Sequence, residues 1–157
     1  MIWNILIVIA TFFFMEFVAW FAHKYVMHGF LWHLHEDHHA VDGSFFEKND
    51  WFFVIFAVPS MICYITGIMA GLDFRLYIGI GISLYGLGYF IVHDIIIHQR
   101  FKIWTHWNNR YVRAIRRAHK MHHKHTGKEE GESFGMLLVA KKYWDKVRRD
   151  EMIQNNG

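Results

Sequence analysis

Three long apolar segments limit most strongly what this chain can fold into. They cover residues 2–22, 51–71 and 76–97, and only Asn4, Thr11 and Glu16 are polar in the first. A helix of about 20 apolar residues spans the ~30 Å hydrocarbon core of a bilayer. The chain has 157 residues, of which 54% are hydrophobic, and it has too little polar sequence to cover three such helices in water. The sequence therefore predicts an all-α integral membrane helical bundle with about three transmembrane helices.

The basic residues indicate how this bundle is oriented. Three crossings place residues 23–50 and 98–157 on one side of the membrane, opposite a short link that contains Arg75. Of the 17 Lys and Arg residues, 14 lie in 98–157, two in 23–50 and one in the link. Because cytoplasmic segments carry the excess of basic residues, we expect a histidine-rich cap in the cytoplasm and the N-terminus outside the inner (cytoplasmic) membrane.

We expect residues 1–157 to form a single membrane-embedded domain. The first apolar segment lacks the basic start and the small-residue cleavage site of a signal peptide. It is therefore predicted to stay as a membrane helix.

Histidine is the residue type that points to chemistry. The chain has 13 histidines, and ten of them fall into four short boxes. Two boxes have the spacing H-x4-H and two have H-x2-H-H, and the chain uses this pair of boxes twice. The ten residues are His23, His28, His35, His38, His39, His93, His98, His119, His122 and His123.

The spacing within the boxes predicts where the imidazoles point. On an α-helix, residues i, i+3 and i+4 share one face, so we expect each H-x2-H-H triplet to point one way. Five residues advance about 500° around an α-helix, which leaves the two rings of an H-x4-H box about 140° apart. Either the helix ends between those two histidines, or their rings reach different metal ions.

Ten imidazoles indicate more than one metal ion. Neutral imidazole is a good ligand for Zn, Cu, Fe and Ni, and ten rings are too many for one tetrahedral zinc. Divided between two ions they give about five each, which leaves an octahedral metal with one open position for oxygen or water. We expect Glu16, Asp37 and Asp94 to orient histidine N–H groups around such a site. His33, His106 and His125 lie outside the boxes and are not expected to be ligands.

The last third of the chain is basic. Residues 107–125 are predicted to form a helix with an apolar stripe at Tyr111, Val112, Ile115 and Ala118, lying on an anionic membrane face. Nucleic-acid binding is disfavoured, because this segment adjoins a membrane span and contains a histidine box. Residues 141–151 are predicted to form a short charged helix.

The four boxes resemble those of the fatty acid hydroxylase superfamily of membrane di-iron enzymes, and more closely its bacterial carotenoid hydroxylase branch. The resemblance covers about residues 1–140. It implies two non-haem iron ions held by the ten box histidines, O2 as co-substrate, and an external electron donor such as ferredoxin or an NAD(P)H-linked reductase. It also implies hydroxylation of β-carotene at C3 of the β-ionone rings, to β-cryptoxanthin and zeaxanthin. The matching residues include Met15-Glu16, His28-Gly29, Asn49-Asp50, His93-Asp94, His98-Gln99-Arg100, Gly127-Lys128-Glu129 and Ser133-Phe134-Gly135.

Three alternatives remain open from the sequence. The nearest is a fatty acid, sterol or other carotenoid oxygenase with the same chemistry. The second is a non-enzymatic membrane protein that binds or transports metal, which we would expect to carry its ligands in the middle of the spans. The third is a haem-binding module with pairs of facing histidines deep in the membrane. The boxes lie at the ends of the apolar segments, which disfavours the second and third.

Overall fold

The described part of the chain forms six helices. The structure is a computed structural model that describes residues 1–40, 44–129 and 131–156, and those residues contain no β-strand. Residues 41–43 and 130, which belong to the predicted polar regions, lie outside the described residues. The helices are α1 (Ile2–Phe30), α2 (Trp32–His39), α3 (Lys48–Met69), α4 (Phe74–Ile97), α5 (Arg110–Lys124) and α6 (Lys141–Asn155).

Helices α1, α3 and α4 are long and apolar enough to cross a membrane. This confirms the predicted all-α bundle with three candidate spans, and the bounds of α3 and α4 lie close to the expected ones. The first helix differs, because it does not end at residue 22 but continues to Phe30. It widens there into a π-helix over Ala22–Phe30, and α4 does the same over Phe90–Ile97.

Helix α4 is the central span, because it packs against both α1 and α3. Two glycines allow the close approach. A Cβ atom on Gly81 would lie 2.6 Å from Cβ of Thr11 in α1, and one on Gly79 would lie 3.1 Å from the carbonyl oxygen of Ser60 in α3. Larger residues at these two positions would push the helices apart.

The cap consists of α2, α5 and α6 at one end of the bundle. Helix α5 begins where the Asn109 side chain accepts a hydrogen bond from the Val112 N–H at 2.9 Å, which is a common way to start a helix. Ala114 and Ala118 of α5 pack against Tyr143 and Val147 of α6. The short charged helix expected at 141–151 is confirmed and extends to Asn155.

The predicted role of the stripe on α5 is wrong. Val112, Ile115 and Ala118 are buried inside the protein, so this face is not available to a membrane. Part of the basic charge is also neutralised within the cap. Arg117 forms an ion pair with Asp150 at 2.7 Å, and Glu151 lies 2.8 Å from Arg110 and 3.1 Å from Arg113.

Candidate metal centre

Nine of the ten box histidines form two compact groups at the cap end of the bundle. The first group draws residues from α1, α2 and α5, and each of its members offers one ring nitrogen within 4.8 Å of the others. The second draws on α2, α4 and α5 with the same spread of nitrogens. The first group is His23, His28, His35, His39 and His122, and the second is His38, His93, His98 and His119.

The tenth box histidine, His123, adjoins the second group. Its Nε2 lies 2.8 Å from Nε2 of His119, and its ring centre is 4.6 Å from that of His38. With His123 counted, five imidazoles surround each position. The structure therefore brings all ten box residues together, whereas His33 and His106 are exposed and belong to neither group.

The π-helices explain the H-x4-H spacing. A π-helix joins residue i to residue i+5, and the His98 N–H donates to the His93 carbonyl at 2.8 Å. Residues five apart therefore return to one face, so His23 and His28 enter the first group while His93 and His98 enter the second. The alternative that the two rings of a box reach different metal ions is therefore wrong. In the first box α1 continues past His28. In the second box α4 does end before His98, at Ile97, but the His98 N–H still completes the i to i+5 turn.

The H-x2-H-H triplets are divided, contrary to expectation. Helix α2 lies between the two groups, so His35 and His39 point into the first and His38 into the second. On an α-helix, i+3 lies about 60° to one side of residue i and i+4 about 40° to the other. A helix that lies between two sites can therefore direct residues i and i+4 to one site and residue i+3 to the other. Helix α5 also serves both groups, with His122 facing the first and His119 the second.

The Nδ1 atoms of the first group all face an oxygen atom. The Nδ1–H groups of four of these rings donate to backbone carbonyls of the segment 125–134 at 2.9–3.0 Å, while that of His35 donates to Oδ1 of Asn49 at 2.7 Å. A neutral imidazole whose proton is on Nδ1 has a bare lone pair on Nε2. The four carbonyls belong to Phe134 (for His23), Lys128 (for His28), His125 (for His39) and Glu132 (for His122).

Bare Nε2 atoms converge in the middle of the first group. Nε2 of His35 lies 3.1 Å from Nε2 of His23 and 3.2 Å from Nε2 of His39. Because the protons of these rings are held on Nδ1, the approaches are not hydrogen bonds but contacts of lone pairs that repel one another. A cation placed between them removes that repulsion, and an oriented Nδ1–H is the usual partner of a metal-bound histidine. The residues present therefore fit a metal ion.

In the second group one imidazole is hydrogen-bonded to a carboxylate and another lies near one. The His38 Nδ1–H donates to Oε2 of Glu47 at 2.7 Å, and Oδ1 of Asp94 lies 3.5 Å from Nδ1 of His93. Nε2 of His93 lies 3.1 Å from Nε2 of His38, and Nε2 of His98 lies 2.7 Å from Nε2 of His119. Carboxylates increase the basicity of the imidazoles they orient, so this position also fits a cation.

Burial keeps the imidazoles of the cap neutral. Desolvation lowers the pKa of His35 to about 3 and that of His39 to about 4, since charging either ring would place a cation in a buried, histidine-lined space. Desolvation likewise lowers the pKa of His123 to about 3, and that of His122 to about 2. At neutral pH these rings can therefore donate electron pairs to a metal.

Of the three acidic residues expected to orient histidines, only Asp94 lies near a histidine nitrogen. Asp37 instead accepts the backbone N–H of Lys48 at 2.7 Å, where it stabilises the start of α3. Glu16 accepts the Tyr85 hydroxyl at 2.7 Å and the backbone N–H groups of Met136, Leu137 and Leu138 at 2.8–3.0 Å. It therefore acts on the histidines through the chain segment that carries Glu132 and Phe134.

Arg100 links Asp94, beside the second group, to the segment 45–50, which carries the hydrogen-bond partners of His38 and His35. Its guanidinium donates to both carboxylate oxygens of Asp50 at 2.8 and 2.9 Å and to Asp94 at 3.0 Å, and it also donates to the carbonyl oxygen of Phe45. Asp50 in turn accepts the backbone N–H of Glu47. The segment 45–50 that presents Glu47 and Asn49 is therefore held by one arginine.

The sequence patterns did not identify Glu47, and they assigned no role to Asn49 or Arg100. Asn49 and Arg100 are among the residues that carry the family resemblance, which was the available signal. No pattern marked Glu47, because it lies nine residues after His38, outside helix α2 and at no regular spacing from it.

An apolar cavity of about 350 Å³ adjoins both groups. It lies among the three spans, and His23 of the first group and His93 of the second line it at the cap end. Most of its remaining wall is apolar, with Phe52, Phe56 and Met15 among the lining side chains. The site therefore joins two imidazole groups to a space that suits a hydrocarbon.

Two imidazole groups beside an apolar cavity, at the end of three membrane-length helices, are features of a membrane enzyme that acts through bound metal. Comparison with known families identifies the particular class. Residues 8–149 match the fatty acid hydroxylase family, and the chain belongs to that family. Family and histidine groups together indicate a metal-dependent oxygenase.

Curated relatives match most of the chain. It is 43% identical over 138 residues to a β-carotene hydroxylase of Pantoea ananas, covering 88% of this chain and 78% of the relative. A β-carotene hydroxylase of Pseudescherichia vulneris is 41% identical over 143 residues, covering 90% and 80%. One from Paracoccus sp. (strain N81106 / MBIC 01143) is 36% identical over 149 residues, covering 94% and 90%. No solved structure matches the chain.

Proposed function

We propose that this enzyme hydroxylates β-carotene at C3 of the β-ionone rings, giving first β-cryptoxanthin and then zeaxanthin. The observation that carries the proposal is the identity of 36–43% to β-carotene hydroxylases over most of the chain. The apolar cavity beside both histidine groups supports it, because β-carotene is a hydrocarbon dissolved in the bilayer. An unactivated C–H bond resists acid–base chemistry, so a metal-assisted oxidation is required.

We propose two non-haem iron ions, one for each group. His23, His28, His35, His39 and His122 would hold the first, and His38, His93, His98, His119 and His123 the second. Bound iron supplies the activation of O2 and the oxidation of the ring carbon. Nitrogen-rich sites of this kind also bind zinc, so iron loading must be measured.

The protein's own residues position the reactants. The carbonyls of segment 125–134, with Asn49 and Glu47, hold the imidazoles with Nε2 directed inward. The apolar cavity holds the ring against His23 and His93 and excludes water. The reaction converts one C–H bond and one O2 to a C–OH group and one water, and consumes two electrons and two protons.

The two electrons come from outside the chain in this proposal. The donor is a ferredoxin or an NAD(P)H-linked reductase, which would reach the histidine cap from the cytoplasm. We therefore also propose that the cap lies on the cytoplasmic side of the inner membrane with the N-terminus outside, which the distribution of basic residues supports. We further propose that residues 1–157 act as a single domain, because the ligands come from α1, α2, α5 and the end of α4, and α6 packs against α5.

Pigment analysis in a bacterium that accumulates β-carotene tests the function. We expect the wild-type chain to convert β-carotene to β-cryptoxanthin and zeaxanthin, and the variants His122→Ala and His38→Ala to lose conversion. His106→Ala is the matched control, since its exposed ring belongs to neither group. If the iron-loaded protein leaves β-carotene unchanged but oxidises a fatty acid or a sterol, the alternative within the superfamily is correct.

A further inference from the structure

The cavity has two facing walls built at helical spacing. Residues four apart on one helix lie on one face, and two such rows face each other across the cavity. Both rows run from the cap end into the membrane. The row on α1 is Met15, Ala19 and His23, and the row on α3 is Phe52, Phe56 and Ser60.

The third wall belongs to α4. Helices α1 and α3 both pack on α4, and the cavity lies between them. Phe134 and Met136, which precede α6, also line it, whereas no described residue of α5 or α6 does. Phe53 and Leu87 line it and yet remain 58% and 55% exposed. The cavity is therefore a trough whose long side faces the lipid.

The trough reaches about halfway into the membrane. His93 lies at its cap end, and Ser83 lies about ten residues earlier on the same helix. At 1.5 Å per residue this is ~15 Å, half of the ~30 Å hydrocarbon core. A long hydrocarbon with a ring at each end fits with one ring in the trough, while the rest of the molecule extends into the lipid.

Gly86 lies in the middle of the α4 wall. A Cβ atom at Gly86 would meet no atom within 4 Å, unlike one at Gly79 or Gly81, where the neighbouring helix lies close. Because Gly86 lines the cavity, a larger side chain there would extend into the trough without disturbing helix packing.

From these observations, and resting on the proposed function, we infer that the trough admits one end ring of a carotenoid sideways from the lipid, and that Gly86 provides the room for that ring. Only one ring at a time reaches His23 and His93. The molecule hydroxylated at one end must therefore leave the trough and return with its other end before the second ring reacts.

Gly86→Phe tests the role of the trough. Its matched control is Leu84→Phe, because Leu84 is on the same helix, does not line the cavity and is 45% exposed. We expect Gly86→Phe to lower conversion of β-carotene about tenfold or more, since pockets reject extra carbon atoms by this order. It should also reduce the pigment that copurifies with the protein, with iron per chain unchanged, while Leu84→Phe behaves as wild type.

Equal conversion and equal bound pigment in the two variants would overturn the inference. If Gly86→Phe loses iron, Ala57→Phe on the facing wall repeats the test, and unchanged conversion in an iron-loaded Ala57→Phe protein would likewise refute it. If the wild-type chain itself does not act on β-carotene, the proposed function is wrong. That result is distinct from a failure of the role inferred for the trough and Gly86.

Isotope mixing tests the exchange of ends. Unlabelled β-carotene is supplied together with an excess of ¹³C-labelled β-cryptoxanthin in the same vesicles. We expect the unlabelled β-carotene that is consumed early to be recovered as free unlabelled β-cryptoxanthin with almost no unlabelled zeaxanthin, because the intermediate leaves the trough and is diluted by the labelled pool. Unlabelled zeaxanthin that forms from the start in proportion to the β-carotene consumed would show that the intermediate stays bound, and would contradict the trough.

Discussion

Replacing Glu16 with alanine should affect the first histidine group through a chain of contacts. The carboxylate of Glu16 in α1 binds the backbone N–H groups of Met136, Leu137 and Leu138. The segment before them supplies the carbonyls of Glu132 and Phe134, which orient His122 and His23. None of the corresponding bonds goes to His38 or His93, so we expect the second group to be spared.

The size of the effect follows from the bonds lost. Two of the bonds, from the Met136 N–H and the Tyr85 hydroxyl, are buried. Hydrogen bonds to a charged group contribute about 1.5–3 kcal/mol each, so the loss of these two bonds in Glu16→Ala should lower the free energy of unfolding by about 3–6 kcal/mol. The segment 136–138 also loses all three of its contacts with Glu16. Loss of a partner that orients a metal-bound histidine lowers metal affinity about 10–100-fold. Iron should therefore fall from two ions per chain towards one.

Glu16→Gln is the matched control, because its amide oxygen still accepts the three N–H groups that Oε1 holds. We expect it to keep most of its iron and conversion. Iron per chain, measured by elemental analysis on protein purified in detergent, checks both variants. Two irons and full conversion in Glu16→Ala would show that Glu16 does not support the first group. An equal loss of iron from both positions, with helical content unchanged, would also contradict this role.

Three further predictions concern the groups that orient the histidines and the effect of pH. Arg100→Lys should lower conversion at least as much as Glu47→Gln, because lysine cannot reproduce the two-pronged contact with Asp50; conversion equal to wild type would contradict the role of Arg100. Asn49→Ala should lower iron at the first position, and Glu47→Gln should lower it at the second. Elemental analysis tells the two positions apart when each change is combined with His119→Ala, which leaves the first position, or with His122→Ala, which leaves the second. For metal-free protein, the free energy of unfolding should fall as the pH falls from about 6.5 to about 4, by up to ~1.4 kcal/mol per pH unit for a histidine such as His39, whose pKa is lowered by burial. The sign follows because the unfolded state takes up protons first: burial lowers the pKa of His39 to about 4, and a stability that rises on acidification would contradict it.

Hydropathy and spacing predicted much of this protein, because membrane spans and histidine boxes depend on local sequence. Segment length alone predicted α3 and α4 closely, and the four boxes contained all nine residues of the two groups together with the adjoining His123. Local rules failed where the backbone departs from an α-helix. The H-x4-H boxes appeared incompatible with one site until the π-helices placed residues five apart on one face.

The partners of the histidines depended on contacts far apart in sequence. Asn49 contacts His35 from 14 residues further along the chain, and Glu47 contacts His38 from nine residues further along, which is beyond the reach of a helical spacing rule. Four acceptors of the first group are backbone carbonyls, which no side-chain pattern marks. For the same reason Glu16 was correctly singled out as an acid deep in a span, although its contacts turned out to be with the segment 136–138 and Tyr85 rather than with a histidine.

If the histidine boxes build two separate metal sites, the number of iron ions bound per chain must show it. This number is measured on wild-type protein purified without chelator, beside His122→Ala from the first group and His119→Ala from the second. We expect two iron ions per chain in the wild type and one in each variant, and we expect both variants to lose conversion of β-carotene. One iron in the wild type, or two irons retained in either variant, would contradict it.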